Sequence, residues 1–315
     1  MAALSTNLNI PDDMLLGDLL FYTLQDMTVP EGDLVNVFKN VGLDSSLIRK
    51  ISLADAFRRA SASIKNTKVF LGGIERRLEV NEVLTDNERV VRVIGCKTVD
   101  ENGTDISEKV KYDAVAEIIF HRDTEVVTYN LCSALNNNVI SGKQDIVDSC
   151  ETILSNYANW SVNHSKDTIR NIFNRMIERC YPVNLMPTGI CKFIPKTNRD
   201  TIYKMKAALN ELSQYAASPN VMEIIPVIDT QDQRDLIEKS FKSEIGTELI
   251  DTIQQLNEII QAKNTLSKKT VNSYMEKYKF LGEKAQEYKN LLEGGIDLFA
   301  DRLSQLYTMI EDNKE

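Results

Sequence analysis

An apolar seam runs through the last third of the chain. Val271, Tyr274, Tyr278, Leu281, Ala285, Tyr288 and Leu292 follow one another at alternating steps of three and four residues. After one irregular step the register resumes at Ile296, Phe299, Leu303, Leu306 and Ile310. This spacing predicts a single apolar edge along a helix for about six heptads, and an edge of that length must be covered by another helix. Upstream, Ile237, Phe241, Ile245, Leu249, Ile253, Leu256 and Ile260 form a second apolar line. The stretch from Asn264 to Ser267 between the two lines is the expected point of reversal. With a reversal, two helices of roughly 35–45 residues pack antiparallel; without one, the arm needs a partner chain. Residues 229–315 are therefore expected to form a long helical hairpin or coiled-coil arm. Its contact residues would be Val271, Tyr274, Tyr278, Leu281, Ala285, Tyr288, Leu292, Phe299, Leu303 and Leu306. Each tyrosine hydroxyl on the seam needs a polar partner or an exit to water. Two arrangements stay open: a closed hairpin within one chain, and an edge left partly open for another chain. Gly294-Gly295 lies in the irregular step and predicts a kink or a break.

The rest of the chain divides by pattern into three segments. Residues 1–65 read as a helical cap, with an amphipathic helix over 14–27, a second after Gly32 that stops at Gly42, and a third from about Ser52. Residues 66–133 change to period two. Alternation along 109–120, a strong strand over 90–99 and outer strands at 78–84 and 126–131 predict an antiparallel meander of four or five strands. Asn102-Gly103 supplies the hairpin turn. Residues 134–228 mix helix and strand. Helix faces at Ile146–Tyr157 and Ile169–Cys180 precede a strand–helix–strand order over 189–228, which suggests a small crossover unit. The fold class expected is α+β.

Composition narrows the function classes. The 315-residue chain carries a net charge of −9, with pI near 5.0, so it has no overall attraction to nucleic acid or anionic lipid. No apolar run reaches the length of a membrane span, and the first residues lack a secretory pattern. Cys96, Cys132, Cys150, Cys180 and Cys191 form no CxxC pair. Free thiols in a reducing, cytoplasmic setting are the expectation.

Signatures of chemistry are missing from the sequence. His121 and His164 have no metal-ligand companion at helical spacing, and His164 reads as a surface or capping residue near a helix start. Ser141-Gly142-Lys143 lacks the upstream glycine and the hydroxyl of a phosphate loop. Asp229, Asp232 and Asp235 suit a helix N-terminus, with magnesium binding as the alternative. No catalytic, cofactor-binding or metal-binding residue is assigned.

One charge asymmetry stands out. Residues 166–206 hold nine basic residues and three acids, a balance of +6. Arg170, Arg175, Arg179, Lys192, Lys196 and Arg199 are the candidate nucleic-acid-binding residues. A second basic cluster of Lys263, Lys268, Lys269, Lys277 and Lys279 falls near the proposed arm tip.

Two stretches carry a resemblance. One is Val41-Gly42-Leu43-Asp44 followed by Leu53-Ala54-Asp55-Ala56-Phe57-Arg58-Arg59-Ala60. The other is Pro187-Thr188-Gly189-Ile190-Cys191-Lys192-Phe193-Ile194-Pro195 with Ile225-Pro226-Val227-Ile228-Asp229-Thr230. Together they resemble a group of proteins of phages and other prokaryotic mobile elements. The resemblance implies a phage or bacterial cytoplasmic setting and carries over no activity or cofactor. The expectation is a non-enzymatic interaction or assembly protein that self-associates through the arm and acts on a host or phage protein. Nucleic-acid binding through 166–206 is the alternative, and an enzyme whose site assembles only in three dimensions is the third reading.

Overall fold

The computed structural model describes residues 11–98, 113–137, 141–186, 189–263, 265–292 and 299–313. In chain order the first half forms β1 (Leu15–Thr23), β2 (Thr28–Pro30), α1 (Glu31–Asn40), α2 (Leu53–Ala62), β3 (Lys68–Leu71), β4 (Ile74–Thr85), β5 (Arg89–Thr98), β6 (Asp113–His121) and β7 (Val127–Leu131). Then come α3 (Ser133–Asn136), α4 (Lys143–Trp160), β8 (Asn163–Ser165), α5 (Lys166–Glu178), β9 (Val183–Asn184), β10 (Lys192–Pro195) and α6 (Arg199–Leu212). The chain closes with β11 (Val221–Ile228), α7 (Gln231–Lys263), α8 (Lys268–Leu292) and α9 (Ala300–Asp312). The class is α+β. No helix among the described residues is long and apolar enough to cross a membrane.

Contacts group the chain into two units that cut across the linear segments 1–65, 66–133, 134–228 and 229–315. One holds the described residues of Met1–Met27, Val37–Ser45 and Lys166–Glu315; the other holds Thr28–Asn36 and Ser46–Ser165. The second unit is built on the meander. Its five strands lie in the order β3-β4-β5-β6-β7, all antiparallel. One face buries Leu78, Val80, Ile94, Ile118 and Phe120 against Phe57 and Ala60 of α2 and Ile146, Cys150 and Ile153 of α4. Ser52 caps α2 by accepting from the Asp55 N–H. The turn expected at Asn102-Gly103 lies outside the described residues.

The first unit is organised by a strand that local pattern reads as a helix. The helix expected over 14–27 is instead β1, the inner strand of a four-stranded sheet ordered β11-β1-β10-β9. Leu15, Leu16 and Leu20 are all buried. A strand covered on both faces reads as a continuous apolar run, which periodicity alone cannot tell from a helix. Its partners lie about 200 residues downstream, and tertiary pairing overrides the local preference. Gly17 marks the closest approach: a Cβ there would stand 2.1 Å from the Ile194 carbonyl oxygen.

β10 and β11 both run antiparallel to β1, so they are parallel to each other with β1 between them. The expected crossover is therefore split by the N-terminal strand, with α6 making the connection. Its helix buries Ile202, Met205 and Leu209.

The reversal falls between α7 and α8. Ser267 accepts from the Thr270 N–H at the start of α8, a capping bond that replaces the absent glycine and proline. Ion pairs Glu244–Lys284 at 2.7 Å and Glu248–Lys277 at 3.7 Å fix an antiparallel alignment, because one number rises as the other falls. α9 lies against both helices, and the Leu266 N–H bonds the Asn313 carbonyl at its far end. Three helices, rather than two, therefore enclose the seam. Gly294-Gly295, where a kink or break is expected, lies outside the described residues.

Candidate interaction surfaces

The seam residues share one apolar cluster with the sheet. Leu281, Ala285, Tyr288, Phe299 and Leu306 are buried in it, beside Phe241, Ile245 and Leu249 of α7 and Leu16, Phe193 and Val227 of the sheet. Val271, Tyr274, Tyr278, Leu292 and Leu303 are half-buried at its margin. Tyr288 is wholly buried and stacks on Phe241 with ring centroids 4.4 Å apart. Its hydroxyl donates to the Tyr181 carbonyl at 2.9 Å, which meets the polar need of a buried phenol. Burial pushes the Tyr288 hydroxyl well above its ordinary range. Tyr278 lies against Tyr307 of α9 at 5.4 Å.

A buried charge sits under this cluster. The Lys284 side chain is 3% exposed and its ammonium lies 2.7 Å from Glu244. Glu244 also accepts from the Asn184 backbone N–H at 2.9 Å and from its amide at 2.8 Å. Burial alone would raise the Glu244 carboxyl, but the Lys284 charge and these hydrogen bonds outweigh it and hold the carboxyl below its ordinary value. Lys192 donates to Asn184 at 3.2 Å, so the network ties α7 and α8 to β9 and β10. No local pattern marks Lys284 for burial. Its one signal was a lysine three residues after Leu281 and one before Ala285.

The basic stretch behaves differently in space from its sequence. Arg170 pairs with Asp167 at 3.3 Å, Arg179 with Asp44 at 3.5 Å, and Lys192 with Glu178 at 3.6 Å. Arg199 lies 2.9 Å from Asp12 and 3.4 Å from the buried Asp18. Lys166, Lys204 and Lys206 likewise meet Asp26, Asp200 and Glu223. Arg175 and Lys196 are exposed and carry no ion pair among the described residues. Of the six candidate cations, then, four are matched by carboxylates, several of which come from the first 45 residues.

Two depressions flank the segment around Met186 and Ile190, whose side chains are 57% and 69% exposed. One is a groove of about 980 Å³ along α7, walled by Leu185, Met186, Leu236, Ser240, Ser243 and Thr247. The other is a cavity of about 440 Å³ beside the end of β1, walled by Tyr22, Arg170, Asn174, Ile190 and Lys192. Only Arg170 and Lys192, of the basic candidates, are brought together in it.

The titratable groups singled out in the sequence do not converge. His164 is buried in β8, not at the surface, because β8 pairs with β2 and places it opposite Val29. It lies 3.7 Å from Glu31, and burial lowers its pKa. His121 shares a hydrogen bond with Thr128. Burial pushes the Cys150 thiol up to about 12 and the Cys180 thiol up to about 11, which keeps both protonated and weakly nucleophilic. Asp229 is held low by two 2.6 Å bonds from Arg234, and Asp235 accepts from Gln231. Among the described residues no three His, Cys, Asp or Glu side chains are placed to hold a metal ion.

The profile of a family of unknown function (DUF6744) matches residues 15–312. The chain belongs to that family. The match begins at β1 and ends with α9, so both units are family features. No curated protein and no solved structure matches the chain.

Proposed function

We propose that this DUF6744 protein is a non-enzymatic interaction or assembly protein that self-associates through the exterior of its C-terminal helices. The observation that carries the reading is the placing of exposed apolar side chains around the α7 groove. Met186 and Leu236, 57% and 44% exposed, stand on its walls. Large exposed apolar side chains at a depression whose other walls are polar and charged, here Lys239, Glu248 and Asp251, give the apolar centre and polar rim that an interface uses. The seam itself is already covered by the chain's own helices, so the contact between copies falls on this outer face. The neutralised cations weigh against the nucleic-acid alternative, because phosphates would have to displace carboxylates already in place. The resemblance to proteins of phages and mobile elements supports a prokaryotic host or phage protein as a further partner. Five free thiols suit a reducing cytoplasm.

Light scattering on the full chain tests the proposal. The expected mass is twice 35.7 kDa, and replacing Leu236 and Met186 together by lysine should return it to that of one chain. A single-chain mass for the unaltered protein at all concentrations would end the self-association reading.

A further inference from the structure

Two prolines reveal which main-chain groups of β1 are left over. Pro226 of β11 faces Asp18, and Pro195 of β10 faces Gly17. Neither proline has an N–H to give, so neither can occupy a hydrogen-bonded pair. A strand residue directs its N–H and C=O to the same side, and the direction alternates along the chain. Only one alternation satisfies both prolines. Residues 17, 19, 21 and 23 bond β11, and residues 18, 20 and 22 face the β10 side. The pairing with β10 stops at Leu20 opposite Lys192, while the pairing with β11 continues to Thr23. Tyr22 is thus aimed at the β10 side beyond the point where β10 begins. Among the described residues nothing pairs with its main chain there.

The space beside this strand end is the 440 Å³ cavity. Its walls include two cations, Arg170 and Lys192, and no carboxylate. Neither acid that pairs with these cations lines the cavity, and both are well exposed, Asp167 at 79% and Glu178 at 56%. Such exposed pairs are weak and exchangeable. Asn174, which accepts the Tyr22 hydroxyl proton, and Thr23 add polar groups, and Leu24 and Ile190 add an apolar wall.

Direction decides what can enter. A peptide laid antiparallel along Tyr22 runs the same way as β10, in line with it. Its forward end then meets Lys192, where β10 already fills the edge, so the added chain must terminate. An N-terminal amine at that point would face two cations, and a carboxyl terminus would be neutralised by them. We infer that this cavity receives the free C-terminal carboxylate of an extended segment from a partner protein. The segment adds one short stretch of strand at Tyr22, and its carboxylate lies between Arg170 and Lys192. This combines strand addition with carboxylate capture. It rests on the reading of the chain as an interaction protein and names the chemistry of one partner.

The probe is a fluorescein-labelled peptide pool with four degenerate C-terminal positions, made as the free acid and as the C-terminal amide. Anisotropy is followed with the full chain. The free-acid pool should bind at least about tenfold more tightly than the amide pool, the effect of losing a charged hydrogen-bonding group. Replacing Arg170 and Lys192 together by glutamine should remove a similar factor, with the thermal melt recorded alongside because Lys192 also donates to Asn184. If that pair fails to fold, R170Q alone serves, because the Arg170 side chain is 42% exposed. Equal binding of the two pools, no binding of either, or unchanged binding by the folded variants would each overturn the inference. A dimer that ignores both pools removes this inference and leaves self-association standing. A single chain that retains the free-acid pool does the reverse.

Discussion

Removing Glu244 should cost this protein far more than removing an ordinary surface carboxylate. Glu244→Ala leaves the Lys284 ammonium 3% exposed between α7 and α8 without a counter-charge. Breaking a buried pair from one side typically costs about 3–5 kcal/mol. The two hydrogen bonds from Asn184 are also lost, but Glu244 lines the open groove and water can replace them there. The net loss expected is therefore about 4 kcal/mol. Converting both partners, Glu244→Leu with Lys284→Met, removes the charge and the penalty together. That variant should lie within about 1 kcal/mol of the unaltered protein or above it. Urea unfolding followed by far-ultraviolet circular dichroism measures all three, since α7 and α8 contribute heavily to the helical signal. The sign with pH is fixed as well. The folded Glu244 carboxyl sits below its ordinary 4.5, so the pair's contribution is present above that value and is lost as pH falls through the folded pKa. The double variant should lack this acid loss. A single variant costing under about 1 kcal/mol, or a double variant as unstable as the single, would refute the argument that a buried unpaired ammonium dominates.

Two further outcomes follow from burial. Asp18 is fully buried, its carboxylate oxygens accept no hydrogen bond among the described residues, and burial raises its pKa against the pull of Arg199. The folded state therefore holds the Asp18 proton more tightly. Its stabilisation is complete below about 3.8 and declines as pH rises through the folded pKa; Asp18→Asn should abolish this decline in unfolding curves taken between acid and neutral pH. For the thiols, a disulfide reagent at mildly alkaline pH should modify half-buried Cys132 first and leave Cys150 and Cys180 untouched until the chain unfolds. Rapid native-state modification of Cys150 would contradict its placement among Phe57, Ile146 and Ile153.

Parts of this architecture are legible residue by residue because their causes are local. Strict alternation along 109–120 reports a strand with one inward face, and β6 occupies its described part with Ile118 and Phe120 inward. Three-four spacing brings Leu281, Tyr288 and Leu306 onto one line, and these are fully buried residues of the first unit. Other features have causes separated by most of the chain. The nine basic residues of 166–206 look like a patch until Asp12, Asp26 and Asp44 meet three of them. Lys284 has the composition of a solvated position, and only Glu244, forty residues away, makes its burial tolerable. The cavity at Tyr22 exists because the pairing of β1 with β10 ends at Leu20 while its pairing with β11 continues to Thr23, a matter of register that no single segment records.

Side-chain periodicity alone thus determined the α+β class, the meander and the long helices, because a helix or a half-buried strand stamps its geometry on neighbouring residues. Tertiary structure alone decided that Leu15–Thr23 is a central strand, which cations are neutralised, and where an unpaired strand end opens beside Arg170 and Lys192. Those outcomes depend on Coulomb and hydrogen-bond partners brought together from distant positions, and the order of residues along a chain does not state which distant groups will meet.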